Sequence, residues 1–182
     1  MKKNSIKTVV AIGIGAALFF VLGRFVAIPS GIPNTNISLQ YAILGLLAGM
    51  FGPVAGCLIG FIGHTLIDLS WGGSPWWSWV IASAFVGAAS GMLYKKMGIT
   101  DAVFGKKEII IFVATALVAH AIAWIGVAPI LDIVIYAEPS DKVFTQGAVA
   151  AAANFVTTAV VGTLLALAYN KTVAKQGSLE KE

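Results

Sequence analysis

Apolar residues dominate the chain in long runs, and the polar positions gather between them. A helix that spans a bilayer needs about 20 mostly apolar residues, and four runs meet that length: residues 8–27, 76–94, 108–128 and 143–169. Between the first two lie a shorter pair, 39–51 and 54–69, divided by Gly52 and Pro53. The pattern predicts an all-α integral membrane protein of one domain, residues 1–182, with six transmembrane helices. Residues 28–38, 70–75 and 129–142 join the helices at one end, and 171–182 form a tail.

Composition agrees with this reading. The chain of 182 residues is 58% hydrophobic and 11% charged, against roughly a quarter charged in soluble domains. Lys2, Lys3 and Lys7 precede an apolar run, as in a signal peptide, but the run is long and lacks a small-residue cleavage site, so it reads as a retained helix.

Ten of the twelve Lys and Arg residues sit at the N-terminus, between 95 and 107, or near the C-terminus (Lys171, Lys175, Lys181). The positive-inside rule places all three regions, and with them both termini and the tail, in the cytoplasm. An even number of crossings must then separate the N-terminus from Lys95, so the short pair either both cross or both turn back, and it is read here as crossing twice. The net charge of +4 is thereby topological, and no nucleic-acid surface is implied. Cys57 is the single cysteine, so the chain alone can form no disulfide or cysteine metal site.

The connection 70–75 then faces outward, and it opens a tryptophan cluster. Trp71, Trp76, Trp77 and Trp79 are four of the five tryptophans in the chain. Ser74 and Pro75 fit the cap and first position of the next helix. Trp76 and Trp79, three apart, share a face. An aromatic belt at the headgroup level is the plain alternative. It explains the cluster less well, because a belt spreads over both interfaces and the inner side here has no tryptophan.

Polar groups inside apolar spans are costly, and each marks a candidate site. Arg24 and Asp68 lie at similar depth near the outer end and are expected to form a structural ion pair. His64 and Asp68 are one helical turn apart; with His120 they offer a weak metal set, the basis of the alternative reading as a membrane enzyme or metal carrier. His120 and Trp124 are also one turn apart. Together with Trp76, Trp79 and Asn154 they are expected to line an outward pocket suited to a small, flat, polar ring. Asn34 and Asn36, in the uncharged connection IPSGIPNTNISLQ, are expected to close it. On the first helix, Ala11 with Gly15 and Gly13 with Ala17 make a small-residue face for close helix approach. No phosphate-binding GxxxxGK[ST] motif occurs, so the chain is not expected to bind ATP through a P-loop, and any energy it uses comes from elsewhere.

GIGAALFFVLGRF, IPNTNI, FGPVAGCLIGFIGH and SPWWSWVIASAFVG, with the six-helix pattern, resemble the S components of energy-coupling factor (ECF) vitamin transporters, in a subgroup tied to hydroxymethylpyrimidine or pyridoxine-like vitamins. The resemblance implies a non-enzymatic subunit that takes its vitamin from outside and docks on a transmembrane coupling protein with two ABC-type ATPases. It implies that this chain holds no cofactor, with ATP and magnesium used by those partners. The family docks through an Ala-xxx-Ala on the first helix; here the nearest matches are Ala11-xxx-Gly15 and Gly13-xxx-Ala17.

Overall fold

A computed structural model describes residues 2–179, with side chains described from 6 to 175. Lys181 and the end of the expected tail lie outside the described residues. The chain runs α1 (Lys2–Phe25), β1 (Ile28–Pro29), β2 (Asn36–Ile37), α2 (Gln40–Phe51), α3 (Pro53–Ser70), α4 (Trp77–Gly91), a short α5 (Tyr94–Met97) and a 3-10 turn (Ile99–Asp101). Two long rods follow. The first is α6 (Lys106–Ala121), a π-helical segment Ile122–Val127 and α7 (Ala128–Tyr136); the second is α8 (Ser140–Thr157), a π segment Thr158–Gly162 and α9 (Thr163–Leu179).

Four segments are long and apolar enough to cross a membrane: Ile6–Phe25, Pro53–Ser70, Lys106–Tyr136 and Ser140–Lys175. The other two main helices are shorter, 12 residues in α2 and 15 in α4.

The expected break at 129 does not occur. Helix continues to Tyr136 and resumes at Ser140, which reduces the expected 129–142 connection to three residues. Pro129 lacks the N–H that an interior helix position requires, and the π segment just before it absorbs the defect. Within it the Ala128 N–H bonds the Ala123 carbonyl, five residues back. The next donor in that register is Pro129, so the Trp124 carbonyl turns instead against Gly147 of α8, where a Cβ would collide with it.

α3 and α4 pack closest of all, and two GxxxG sequences explain why. Gly56 and Gly60 on α3 meet Gly87 and Ser83 on α4 so tightly that a Cβ at Gly56 would strike the Gly87 carbonyl, and one at Gly87 would strike the Gly56 carbonyl. Small residues allow this backbone approach.

α1 lies on α2 and α3 through Gly15, whose missing side chain is replaced by Leu47 and Ile59. The core beneath is built on Phe19, Tyr41, Leu44, Ile59, Val86 and Trp124.

Candidate functional site

The C-terminal ends of α1, α3 and α7 meet the N-terminal ends of α2, α4 and α8 around one cavity of about 650 Å³. That is mid-range for a small-molecule site, where about 300–1,000 Å³ is usual. The other end of the bundle carries Lys95, Lys96, Lys106 and Lys107.

The connection after α1 is folded over this cavity. Ile28 pairs with Ile37 and Pro29 with Asn36 in a minimal antiparallel hairpin. Ser30 Oγ donates to the Thr35 carbonyl at 2.7 Å and accepts from the Ile32 N–H at 3.2 Å. Gly31 and Asn34 take positive φ, +87° and +58°; both residue types tolerate that region. Gln146 on α8 donates to the Pro33 carbonyl at 2.8 Å, tying the hairpin to the far wall. Asn34 and Asn36 line the cavity beneath it.

Trp76 and Trp79 form part of the wall, but their indole N–H groups are already engaged. Both donate to Asp132 on α7, Trp76 to Oδ1 at 2.6 Å and Trp79 to Oδ2 at 2.9 Å. Ser78 Oγ, wholly buried, donates to Oδ1 as well. Asp132 is 2% exposed. The indole of Trp76 also stacks on Tyr136 at 4.0 Å between centroids.

α4 begins at Trp77 rather than at Pro75, and Ser74 does not cap it. Its unpaired amides are met from neighbouring helices instead: Asp68 Oδ2 accepts from the Trp76 N–H at 2.8 Å, and the Tyr136 hydroxyl from the Trp77 N–H at 3.0 Å. Orphan donors at a helix start need such partners.

Asp68 is therefore not the ion partner of Arg24. The Arg24 guanidinium lies 3.7 Å over the ring of Trp71 in a cation–π contact, and among the described residues the only basic group within 4.0 Å of the Asp68 carboxylate is His64 Nε2 at 3.6 Å. The expected pair fails because the Asp68 carboxylate is spent on the start of α4 while the long arginine side chain follows an aromatic surface.

A buried polar chain leads inward from Asp68. His64 Nδ1 meets Ser83 Oγ at 2.5 Å, and Ser83 Oγ meets the Tyr41 hydroxyl at 2.7 Å. His64 and Tyr41 both line the cavity, and Tyr41 is its aromatic floor.

His120 and Trp124 are displaced from the role expected of them. Both are fully buried, and neither lines the cavity. The Trp124 indole N–H donates to His120 Nδ1 at 3.0 Å, which leaves Nε2 to carry the ring proton toward Thr158 Oγ1 at 3.1 Å. The pair braces the two π segments from behind. Its rings support Tyr41 at 5.4 and 5.5 Å and Trp79 at 5.2 Å. Asn154 does reach the cavity.

With both His120 nitrogens occupied, His64, Asp68 and His120 do not converge. Among the described residues no group of three His, Cys, Asp or Glu side chains is placed to hold a metal.

The sequence reading missed Tyr41, Gln146, Glu138, Lys142 and above all Asp132 as residues of this cavity. Asp132 stands alone in the apolar stretch APILDIVIY, and the cost of an intramembrane charge would have marked it had the helix been carried past Pro129.

On the first helix, Gly13 and Ala17 are exposed, while Gly15 is buried in the bundle. Of the two small pairs, Gly13 with Ala17 is the one left open.

Comparison with known proteins agrees with the resemblance to ECF S components and does not reach the hydroxymethylpyrimidine or pyridoxine subgroup. A UPF0397 protein of Exiguobacterium is 52% identical over 182 residues, and one of Lactococcus lactis subsp. cremoris matches equally, each covering all of both chains. One from Clostridium perfringens is 52% identical over 184 residues. No solved structure matches the chain. The family model described as ECF-type riboflavin transporter, S component, matches residues 3–171. The chain therefore belongs to the ECF-type riboflavin transporter S component family, whose members are substrate-binding, membrane-embedded subunits of ECF importers rather than enzymes.

Proposed function

We propose that this chain captures a flat aromatic vitamin or vitamin precursor from outside the cell, in the cavity under the 28–37 hairpin, and delivers it inward when docked on the ECF coupling protein and its two ATPases. In this reading six helices cross the membrane with both termini inside, the chain holds no cofactor of its own, and ATP and magnesium act on the partner ATPases.

The observation that carries the proposal is the cavity itself. It lies at the bundle end opposite the lysine clusters, which the positive-inside rule assigns to the outer face. Trp71, Trp76, Trp79 and Tyr41 offer ring surfaces; Asn34, Asn36, Gln40, Gln146 and Asn154 offer paired donors and acceptors. Stacking then supplies affinity and the amides supply identity. Hydroxymethylpyrimidine and pyridoxine are the candidates from the sequence resemblance, and riboflavin is the one in the family description.

Trp79→Ala is expected to weaken binding about 5- to 150-fold, the range of about 1–3 kcal/mol for loss of one ring-stacking partner. Trp124→Phe keeps an aromatic ring behind Trp79 but removes the N–H held by His120 and part of the buried indole, so stability should fall by about 1–3 kcal/mol for the lost bond and further for the void left, while affinity changes little. Titration of the three candidate ligands into each purified variant separates the roles. Equal affinity in wild type and Trp79→Ala would place the ring elsewhere.

For docking, the open face of α1 carries Gly13 and Ala17 among exposed Val10, Ile14, Leu18 and Val21. A Cβ at Gly13 meets nothing within 4 Å, so Gly13→Leu leaves the fold intact. Gly13→Leu with Ala17→Leu is expected to abolish co-purification with the coupling protein and uptake while ligand binding by the isolated chain persists. Undiminished uptake in the double variant would remove α1 from the interface. Gly15→Leu is unsuitable for this test, because it would collide with Leu47 and Ile59 inside the bundle.

A further inference from the structure

We infer that the cavity selects a ring bearing positive charge: an aromatic ligand with a protonated or quaternary nitrogen, in preference to a neutral ring and against an anionic one. This rests on the capture reading above and adds the charge class of the ligand.

The first support is Asp132. Each of its two oxygens accepts an indole N–H, and indole nitrogen only donates, so the group is arranged as an acceptor-only carboxylate. It is 2% exposed yet on the cavity wall. Among the described residues no Lys, Arg or His nitrogen lies within 4.0 Å of it. Neutral donors spread its charge without cancelling it, and a buried charge demands a partner of opposite sign.

The second is the balance of the whole wall. Glu138 and Lys142 answer one another at 2.6 Å. The Arg24 guanidinium is taken up by the ring of Trp71 and does not itself line the cavity. Asp68 stands on the same wall, joined to Asp132 through Trp76, whose backbone N–H serves one carboxylate and whose indole N–H serves the other; among the described residues the His64 imidazole is the one basic group within 4.0 Å of it. Three carboxylates thus face the cavity against one ammonium.

The third is the character of the rings. Aromatic faces attract cations. An indole whose N–H donates to a carboxylate is made more electron-rich, and two of the three wall indoles, Trp76 and Trp79, donate to the same one. Wall charge and ring face therefore favour one ligand type, and the phosphate of a phosphorylated vitamin would meet Asp68 and Asp132.

Matched probes test this in the purified full chain, with binding followed by quenching of the cavity tryptophans. Nicotinamide and 1-methylnicotinamide share a ring and differ by one permanent charge; riboflavin and its 5′-phosphate, with thiamine, extend the set. The methylated cation is expected to bind about tenfold or more tightly than nicotinamide, thiamine to bind, riboflavin 5′-phosphate to be rejected, and the cation preference to shrink as salt is raised. Asp132→Asn should bring the two nicotinamides near parity; should that variant fail to fold, the wild-type ratio decides alone. Parity in wild type, or saturable riboflavin binding with the cations excluded, overturns the charge inference and leaves ring capture standing. A chain that binds none of the probes, neutral or charged, overturns both.

Discussion

Asp132→Ala should destabilise the protein by about 2–4 kcal/mol and abolish capture, making it the most damaging single change at the site. Three donors converge on this carboxylate from α4: the indoles of Trp76 and Trp79 and the hydroxyl of Ser78. Truncation leaves them without an acceptor, and each buried unsatisfied donor costs about 1–3 kcal/mol. Trp76 is 40% exposed, so water recovers part of its share, which sets the lower figure. Asp132 also joins α7 to the start of α4, so both tryptophan rings lose the anchor that fixes their angle toward the cavity. The measurement is the thermal midpoint in detergent together with ligand titration. A variant as stable as wild type would show that the indoles do not depend on this carboxylate.

Gly87→Leu and Gly56→Leu should prevent assembly of the bundle. At each position even a Cβ would overlap the backbone carbonyl of the facing glycine, and backbone cannot yield as a side-chain tip does. Overpacking of this kind typically costs about 1–3 kcal/mol and occasionally more; a Leu facing rigid backbone at a helix crossing belongs at or above the upper end. Gly13→Leu on the open face of α1 is the matched control. Yield of monodisperse protein reads the difference, and near-normal yield of either α3–α4 variant would contradict the close crossing.

These two sites also show where sequence reading succeeded and where it stopped. The apolar runs at 8–27, 108–128 and 143–169 fall in helices long enough to cross a membrane, whereas 76–94 falls on the 15-residue α4 and the length criterion picks out α3 from the shorter pair instead. Trp76, Trp79 and Asn154 were candidates from depth and chemistry, and Asn34 and Asn36 from their place in the outer connection; all of them line one cavity.

Asp132 was hidden by Pro129, read as a helix end. The π segment Ile122–Val127 that absorbs the proline has no pattern of its own in the sequence. His120 and Trp124 were placed on the correct helix. Periodicity cannot tell a cavity wall from the layer behind it, and both residues lie inward, against Thr158 and Tyr41. Arg24 and Asp68 matched in depth, but depth is not contact: Asp68 serves the start of α4 and Arg24 lies over Trp71. The small-residue face of α1 drew attention through Gly13 and Gly15, yet the tightest crossing is the paired GxxxG of α3 and α4, whose significance depends on which helices are neighbours.

The central claim is that the cavity under the hairpin holds a flat aromatic cargo. It is tested most directly by denaturing the wild-type protein, purified from cells supplied with vitamins, and identifying what it releases by mass spectrometry. The account predicts one ring compound at close to one per protein, and its loss from protein carrying Trp79→Ala. Wild-type protein that releases only lipid, or the same compound in undiminished amount from Trp79→Ala, would contradict it.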